Sequence, residues 1–163
     1  MIKKYLYWLD SKNSKEETVA REMYSRIGHV FHIVQMIEYN VANILSIENT
    51  IDLKKETYSA EEFEIAKNKI ANKYEQLAKE TFGSLAKEAQ NSPSLKRLVP
   101  TINCVVTKRN NIAHNCFKTK AFTSEHINIE DIEAFIEELN DYECDVYKLN
   151  EKVLKIFKRI KTR

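Results

Sequence analysis

Glycine and proline are scarce in this sequence, with two of each among 163 residues. Because tight turns depend on these residues, their scarcity predicts few turns and therefore long elements of secondary structure. The chain is long enough to bury a hydrophobic core as one domain. With 43% hydrophobic and 31% charged residues, its composition is that of a globular chain and not of a disordered one. We therefore expect a single domain over residues 1–163.

Cysteine is also sparse, and the three cysteines are widely spaced and include no CxxC pair. This pattern disfavours a disulfide framework and a zinc site, and it fits free thiols in a reducing compartment. The first residues lack the apolar core of a signal peptide, and no apolar stretch approaches the length that spans a bilayer. We expect a cytoplasmic protein without a membrane partner, a metal ion or a cofactor.

Charge of one sign is not in excess, since the formal net charge is +2. The bulk charge therefore does not indicate nucleic-acid binding. The last sixteen residues differ, because seven of them are Lys or Arg and one is Glu. This basic end either interacts with the dipole of a terminal helix or attracts phosphate groups, and both interpretations remain open.

Apolar residues recur every three or four positions through most of the chain, which is the spacing of amphipathic helices. The pattern predicts a first helix over residues 15–47. Ser59 and Glu62 form the capping-box pair that begins a second helix, and Gly83 is a suitable residue for its end. A short helix is expected to follow over residues 84–90.

The next predicted helix has Ser92 as its N-cap and Pro93 in its first turn. Pro100 is early enough to bend this helix without ending it, and the helix is expected to end at residues 115–117. The last helix is predicted to begin at residue 129 or 130. No segment shows a useful strand alternation. The predicted fold is all-α, an up-and-down helical bundle of four main helices plus short extra helices.

A polar cluster appears where the apolar pattern of the fourth main helix runs out, in the stretch KRNNIAHNCF at residues 108–117. On a helix, spacings of three and four place residues on one face. Arg109 lies about 100° round from Asn110, and a bend at the helix end would return its side chain to the same site. The residues predicted to share the polar face are Asn103, Thr107, Asn110 or Asn111, and His114.

These residue types suit the cleavage of RNA, whose own 2′-hydroxyl supplies the nucleophile. A histidine titrates near neutral pH and can transfer the protons. An arginine stays charged and matches phosphate geometry, and an asparagine can orient either residue. This chemistry requires no metal. The candidate catalytic residues are Arg109, Asn110 and His114, and the weaker candidates for RNA binding are Thr107, Lys108, Asn111 and Lys118.

The Arg–His spacing by itself is a weak signal. Arg26 and His32 have five residues between them, but they lie in the middle of the first helix in an apolar run. We interpret that pair as structural. His29 and His32 are three residues apart without a clear carboxylate partner, and packing or a helix-face position is the favoured interpretation over a metal site.

Together with the residues around it, the sequence RNNIAH at residues 109–114 resembles the signature of the HEPN superfamily. That signature is an Arg and a His separated by four to six residues, of which the first is polar. The preceding TFGSLAKEAQ at residues 81–90, with a Pro-bounded turn after it, is similar to the approach to that motif in many bacterial members. The resemblance implies a metal-independent endoribonuclease of toxin–antitoxin, abortive-infection or phage-defence systems. It also implies a homodimer in which two motifs face each other across a cleft.

Carried over by position, the resemblance implies that Arg109 stabilises the scissile phosphate of a tRNA or mRNA, Asn110 orients the site, and His114 is the general base or acid. The products would be a 2′,3′-cyclic phosphate and a 5′-hydroxyl. A cognate antitoxin or regulator would be a further partner. Members modified by their antitoxin carry a Tyr two places after the His, where this chain has Cys116, which argues against that type of neutralisation. Two alternatives stay open: a non-catalytic HEPN-fold binding module, and an unrelated helical adaptor whose polar cluster caps a helix.

Overall fold

The computed structural model describes residues 15–51, 57–115 and 129–161, and within them every regular element is helical. The predicted all-α helical bundle is confirmed. The expectations for Cys116 and Lys118 lie outside the described residues. The described α-helices are α1 (Lys15–Glu48), α2 (Ala60–Leu77), α3 (Phe82–Glu88), α4 (Val99–Asn115) and α5 (Ile129–Lys161), and a short 3-10 helix (Ala89–Asn91) follows α3.

The two longest helices, α1 and α5, pack along each other and form the main body of the fold. In the contacts between them, residue numbers rise in the same direction along both helices. Lys15 Nζ is 3.3 Å from Glu133, Arg26 is 3.6 Å from Glu143, and His29 Nε2 is 2.6 Å from the Tyr147 hydroxyl. The two helices therefore run parallel. Exposed ion pairs of this kind contribute little stability, so the buried apolar seam carries the pairing. The fully buried residues of the two helices include Met23, Val30, Ile37, Val41, Leu139, Val146, Leu149 and Val153.

The helix α1 is also long and apolar enough, by length and composition alone, to cross a membrane. This corrects the expectation that no stretch approaches the necessary length. Its apolar face is used inside the fold, since more than half of the window that meets the test is buried. A core helix that packs against several neighbours is apolar on much of its circumference for the same reason.

The helix α2 begins as predicted and ends earlier. Ser59 accepts a hydrogen bond from the Glu62 amide, and the Glu62 carboxylate accepts one from the Ser59 amide, which confirms the capping box. The helix ends at Leu77, its one described buried residue, and not near Gly83. Ala78 is the C-cap of α2, and three residues later the Thr81 hydroxyl caps a new helix through the Ser84 amide. Gly83 is therefore inside α3 and not a helix C-terminus.

The helix α4 begins seven residues later than the predicted cap. Ser92 does accept a hydrogen bond from the Leu95 amide, at 3.0 Å, but residues 93–98 form turns and not a helix. The prediction that Pro100 would bend an established helix is wrong. Proline has no amide hydrogen and its ring clashes with the carbonyl four residues earlier, so a helix accepts it only in the first turn. The helix accordingly starts at Val99.

The burial pattern predicts that an Ile→Ala substitution changes the free energy of unfolding much more at residue 37 than at residue 65. Ile37→Ala removes a side chain with 0% exposure from the hydrophobic core and should lower the free energy of unfolding by about 2–5 kcal/mol. Ile65→Ala on α2, where the side chain is 47% exposed, should cost less than about 1 kcal/mol. Urea denaturation followed by circular dichroism measures both. Equal costs would contradict the assignment of Ile37 to the stabilising core.

Candidate functional site

The polar residues predicted for one face of α4 are largely exposed on it. Asn103, Thr107, Asn111 and His114 are exposed, whereas Asn110 is half-buried. Of the two asparagines between which the sequence could not choose, Asn111 therefore belongs to the exposed face. Asn110 lies at its edge, beside Arg109.

Arg109 does not extend freely into solvent, because it packs toward α1. Its guanidinium carbon lies 5.5 Å from the centre of the Phe31 ring, which is the geometry of a cation–π contact. The same guanidinium donates a hydrogen bond to the Asn110 side-chain oxygen, at 3.1 Å. Asn110 therefore orients Arg109, and the aromatic ring restricts the guanidinium to the groove between α1 and α4.

His114 lies in the last turn of α4, and its side chain is exposed. A cation at this position interacts favourably with the negative end of the helix dipole. Five residues of an α-helix turn through about 140° beyond one full turn, so His114 and Arg109 leave α4 in different directions. Among the described residues, no hydrogen bond or ion pair joins them. The helix continues regularly to Asn115, so the bend expected to bring them together does not occur before that residue.

The surroundings of Arg109 include two groups whose protonation is shifted. Burial raises the pKa of the Glu38 carboxyl on α1, and the positive charge of Arg109 offsets part of that rise. Burial also raises the pKa of Tyr142 on α5, again with Arg109 acting in the opposite direction. The Tyr142 hydroxyl donates a 2.8 Å hydrogen bond to the Val105 carbonyl, so it fastens α4 to α5 in its neutral form.

Lys108, a predicted RNA-binding residue, is about half exposed and already has a partner. Its ammonium lies 3.1 Å from an Asp145 carboxylate oxygen and 5.6 Å from the centre of the Tyr142 ring. It therefore points to α5, whereas Thr107, the other described candidate on this turn, faces solvent. Lys108 and Arg109 thus leave α4 toward different neighbouring helices.

The second Arg–His pair occupies a different environment. Arg26 forms ion pairs with Glu22 at 3.0 Å and with Glu143 at 3.6 Å, which links α1 to α5, and His32 is exposed. These contacts agree with a structural interpretation of Arg26. His29 is an exposed helix-face residue whose ring nitrogen shares a hydrogen bond with Tyr147. Within the described ranges, no group of three or more His, Cys, Asp or Glu is placed to hold a metal ion.

Sequence reasoning missed the residues that surround the candidate arginine. Phe31 and Glu38 lie on α1 and Tyr142 on α5, far from the motif along the chain. The spacing of Phe31 and Glu38, seven residues, places both on one face of α1. Nothing in the sequence identifies α4 as the helix that covers that face.

Comparison of the chain with models of protein families, with curated proteins and with solved structures gives no match.

The raised pKa of Glu38 predicts a pH-dependent effect of Glu38→Gln. Because burial disfavours the charged carboxylate, the native state loses stability as pH rises through this raised pKa. The neutral glutamine avoids that loss, so the variant should melt at a slightly higher temperature than the wild type at pH 7, and the difference should vanish toward pH 4. Thermal melts at the two pH values, with the exposed Glu137→Gln as control, measure it. A lower melting temperature at pH 7 would mean that the attraction of Arg109 outweighs burial.

Proposed function

We propose that this protein is a metal-independent endoribonuclease of the HEPN type. The observation that carries the proposal is the arrangement in the second half of α4, where a half-buried guanidinium held by Asn110 and an exposed imidazole lie five residues apart. A pre-oriented cation and an accessible proton-transfer group are the two components that transesterification of RNA requires.

In the proposed reaction, the ribose 2′-hydroxyl attacks the adjacent phosphorus and the bond to the 5′-oxygen breaks. His114 accepts the 2′-hydroxyl proton as general base, and the imidazolium that forms donates a proton to the leaving 5′-oxygen. Arg109 stabilises the negative charge that develops on the phosphate oxygens, and Asn110 holds its guanidinium in place. The products are a 2′,3′-cyclic phosphate and a 5′-hydroxyl.

The active unit that we propose is a homodimer. The divergence of Arg109 and His114 around α4 supports this, because one copy does not direct both groups to one phosphate. In a two-fold symmetric dimer, the arginine of one copy and the histidine of the other can serve the same site.

The biological role that fits this activity is that of a cytoplasmic toxin or phage-defence effector acting on tRNA or mRNA. Uncontrolled cleavage of RNA would be harmful to the host cell, so a cognate antitoxin or regulator is part of the proposal. This role depends on the HEPN resemblance of the RNNIAH stretch at residues 109–114.

A second candidate function is a non-catalytic binding module. It is favoured by the packing of Arg109, whose contact with the Phe31 ring and bond to Asn110 are also what a purely structural arginine would make. In that case the exposed face of α4 would contact a partner without chemistry. Measuring cleavage separates the two functions.

Replacement of the candidate histidine should abolish cleavage. His114→Ala removes the proton-transfer group and should reduce the rate by at least about 100-fold, while the melting temperature stays close to that of the wild type because the side chain is exposed. Cleavage of total RNA and tRNA in EDTA, with analysis of the new ends, measures the effect. His32→Ala, an exposed histidine of the other Arg–His pair, is the matched control and should cleave normally. Equal rates for His114→Ala and the wild type would contradict the mechanism.

A mixture of two inactive variants tests whether the site is shared between copies. Arg109→Ala and His114→Ala should each be inactive alone. After subunit exchange, half of the dimers are mixed and each has one intact site, so about a quarter of the wild-type activity should return. No recovery, with exchange verified by mass spectrometry of differently labelled copies, would show that each site is built from one chain.

A further inference from the structure

A cavity of about 370 Å³, wide open to solvent, lies between α4 and α5 on the side of α4 that carries Lys108. Pro100 and Cys104 form its exposed apolar lining, the almost fully buried Val105 and Tyr142 form its floor, and Thr101, Lys108 and Asp145 supply polar groups. This volume is within the range of small-molecule sites, and an apolar wall with a few polar groups is their usual composition. No role in the proposed cleavage reaction uses this cavity.

The polar groups of the cavity form a donor and an acceptor held side by side. The Lys108 ammonium and an Asp145 carboxylate oxygen are 3.1 Å apart, and the two side chains are 44% and 49% exposed. They come from different helices, and both helices are held at this point by the hydrogen bond from Tyr142 to the Val105 carbonyl. An accessible cation next to an accessible carboxylate can meet two neighbouring atoms on one edge of a planar ligand.

We propose that this cavity binds a guanine base of the RNA. The guanine edge carries the O6 acceptor next to two donors, N1–H and the N2 amino group, so the Lys108 ammonium donates to O6 and the Asp145 carboxylate accepts from both donors. Adenine and cytosine present an amino donor where the ammonium requires an acceptor. Uracil matches the first two positions, but its O2 oxygen would face the carboxylate and repel it.

The cavity and His114 lie on different sides of α4. Lys108 and His114 are six residues apart, which corresponds to about 9 Å along the helix and about 120° around it. The exposed Asn111 lies between them, about 60° around the helix from each. A strand with its guanine in the cavity would therefore reach His114 by crossing the exposed side of α4 past Asn111. The inference rests on the proposed function for this step and names the base that the substrate carries.

The experiment is a calorimetric titration of the full-length protein with four mononucleotides. Guanosine 5′-monophosphate should bind about tenfold or more tightly than the adenosine and uridine 5′-monophosphates, since a bidentate contact discriminates by about that factor. Inosine 5′-monophosphate, which lacks the N2 amino group, should bind with intermediate affinity. Nuclear magnetic resonance of the labelled protein should place the shifts at residues 100–108 and 142–145. Equal affinities for the nucleotides, or shifts elsewhere, would overturn the proposal.

The same Asp→Asn substitution at two positions of α5 separates an effect on guanine recognition from an effect on folding. Asp145→Asn loses the bidentate acceptor and should remove the preference for guanosine 5′-monophosphate, whereas Asp141→Asn, an exposed aspartate one turn away on α5, should retain it. A preference unchanged in a folded Asp145→Asn would overturn the proposal. If Asp145→Asn does not fold, the comparison of the guanosine and inosine nucleotides on the wild type decides alone.

The binding and cleavage assays can reject the guanine site and the ribonuclease activity independently of each other. Selective binding of guanosine 5′-monophosphate without RNA cleavage would retain the guanine site and reject the ribonuclease. Cleavage without a guanine near the mapped cut sites, together with equal nucleotide affinities, would retain the ribonuclease and reduce the Lys108–Asp145 pair to a surface ion pair between two helices.

Discussion

The parallel helices α1 and α5 meet along an apolar seam, and each of the other α-helices in the described part of the chain packs against one of these two. The seam brings together an α1 face that carries Phe31 and an α5 face that carries Tyr142. The helix α4 packs against α5, where Tyr142 donates to the Val105 carbonyl, and it reaches α1 through the Arg109 side chain, which covers the Phe31 ring. The direction of the candidate arginine is therefore a consequence of the pairing of two helices that contribute no residue to the motif.

The regular parts of the fold were predictable because they depend on local patterns. The start of α5 at Ile129 and the capping box at Ser59 and Glu62 follow from residues within a few positions of each other. The start of α4 was not predicted correctly, since Ser92 caps a turn there and the position of Pro100 decides where the helix itself begins. A serine–proline pair satisfies the requirements of a helix start and of a turn equally well.

In the candidate site too, contacts between sequence neighbours were predictable, whereas contacts between distant residues were not. The resemblance of a short stretch of sequence assigned Asn110 to orienting the site, and the structure has a hydrogen bond between Asn110 and its neighbour Arg109. Glu38, Phe31 and Asp145 could not be assigned, because their contacts with α4 exist only after the helices have packed. The angle between Arg109 and His114 around α4 could have been predicted, since it follows from the helical repeat alone. It was not predicted, because a bend at the helix end was expected to bring the two side chains together.

The distribution of acidic groups around the candidate cations bears on how RNA would be selected. Asp145 neutralises Lys108 at 3.1 Å, and the ionised Glu38 would oppose the charge of Arg109. With a net charge of +2, the protein has little excess charge for unspecific attraction of phosphates. An enzyme built in this way would bind most RNA weakly and depend on a few oriented contacts. Selectivity for base and shape, and not affinity for the backbone, would then decide which RNA is cut.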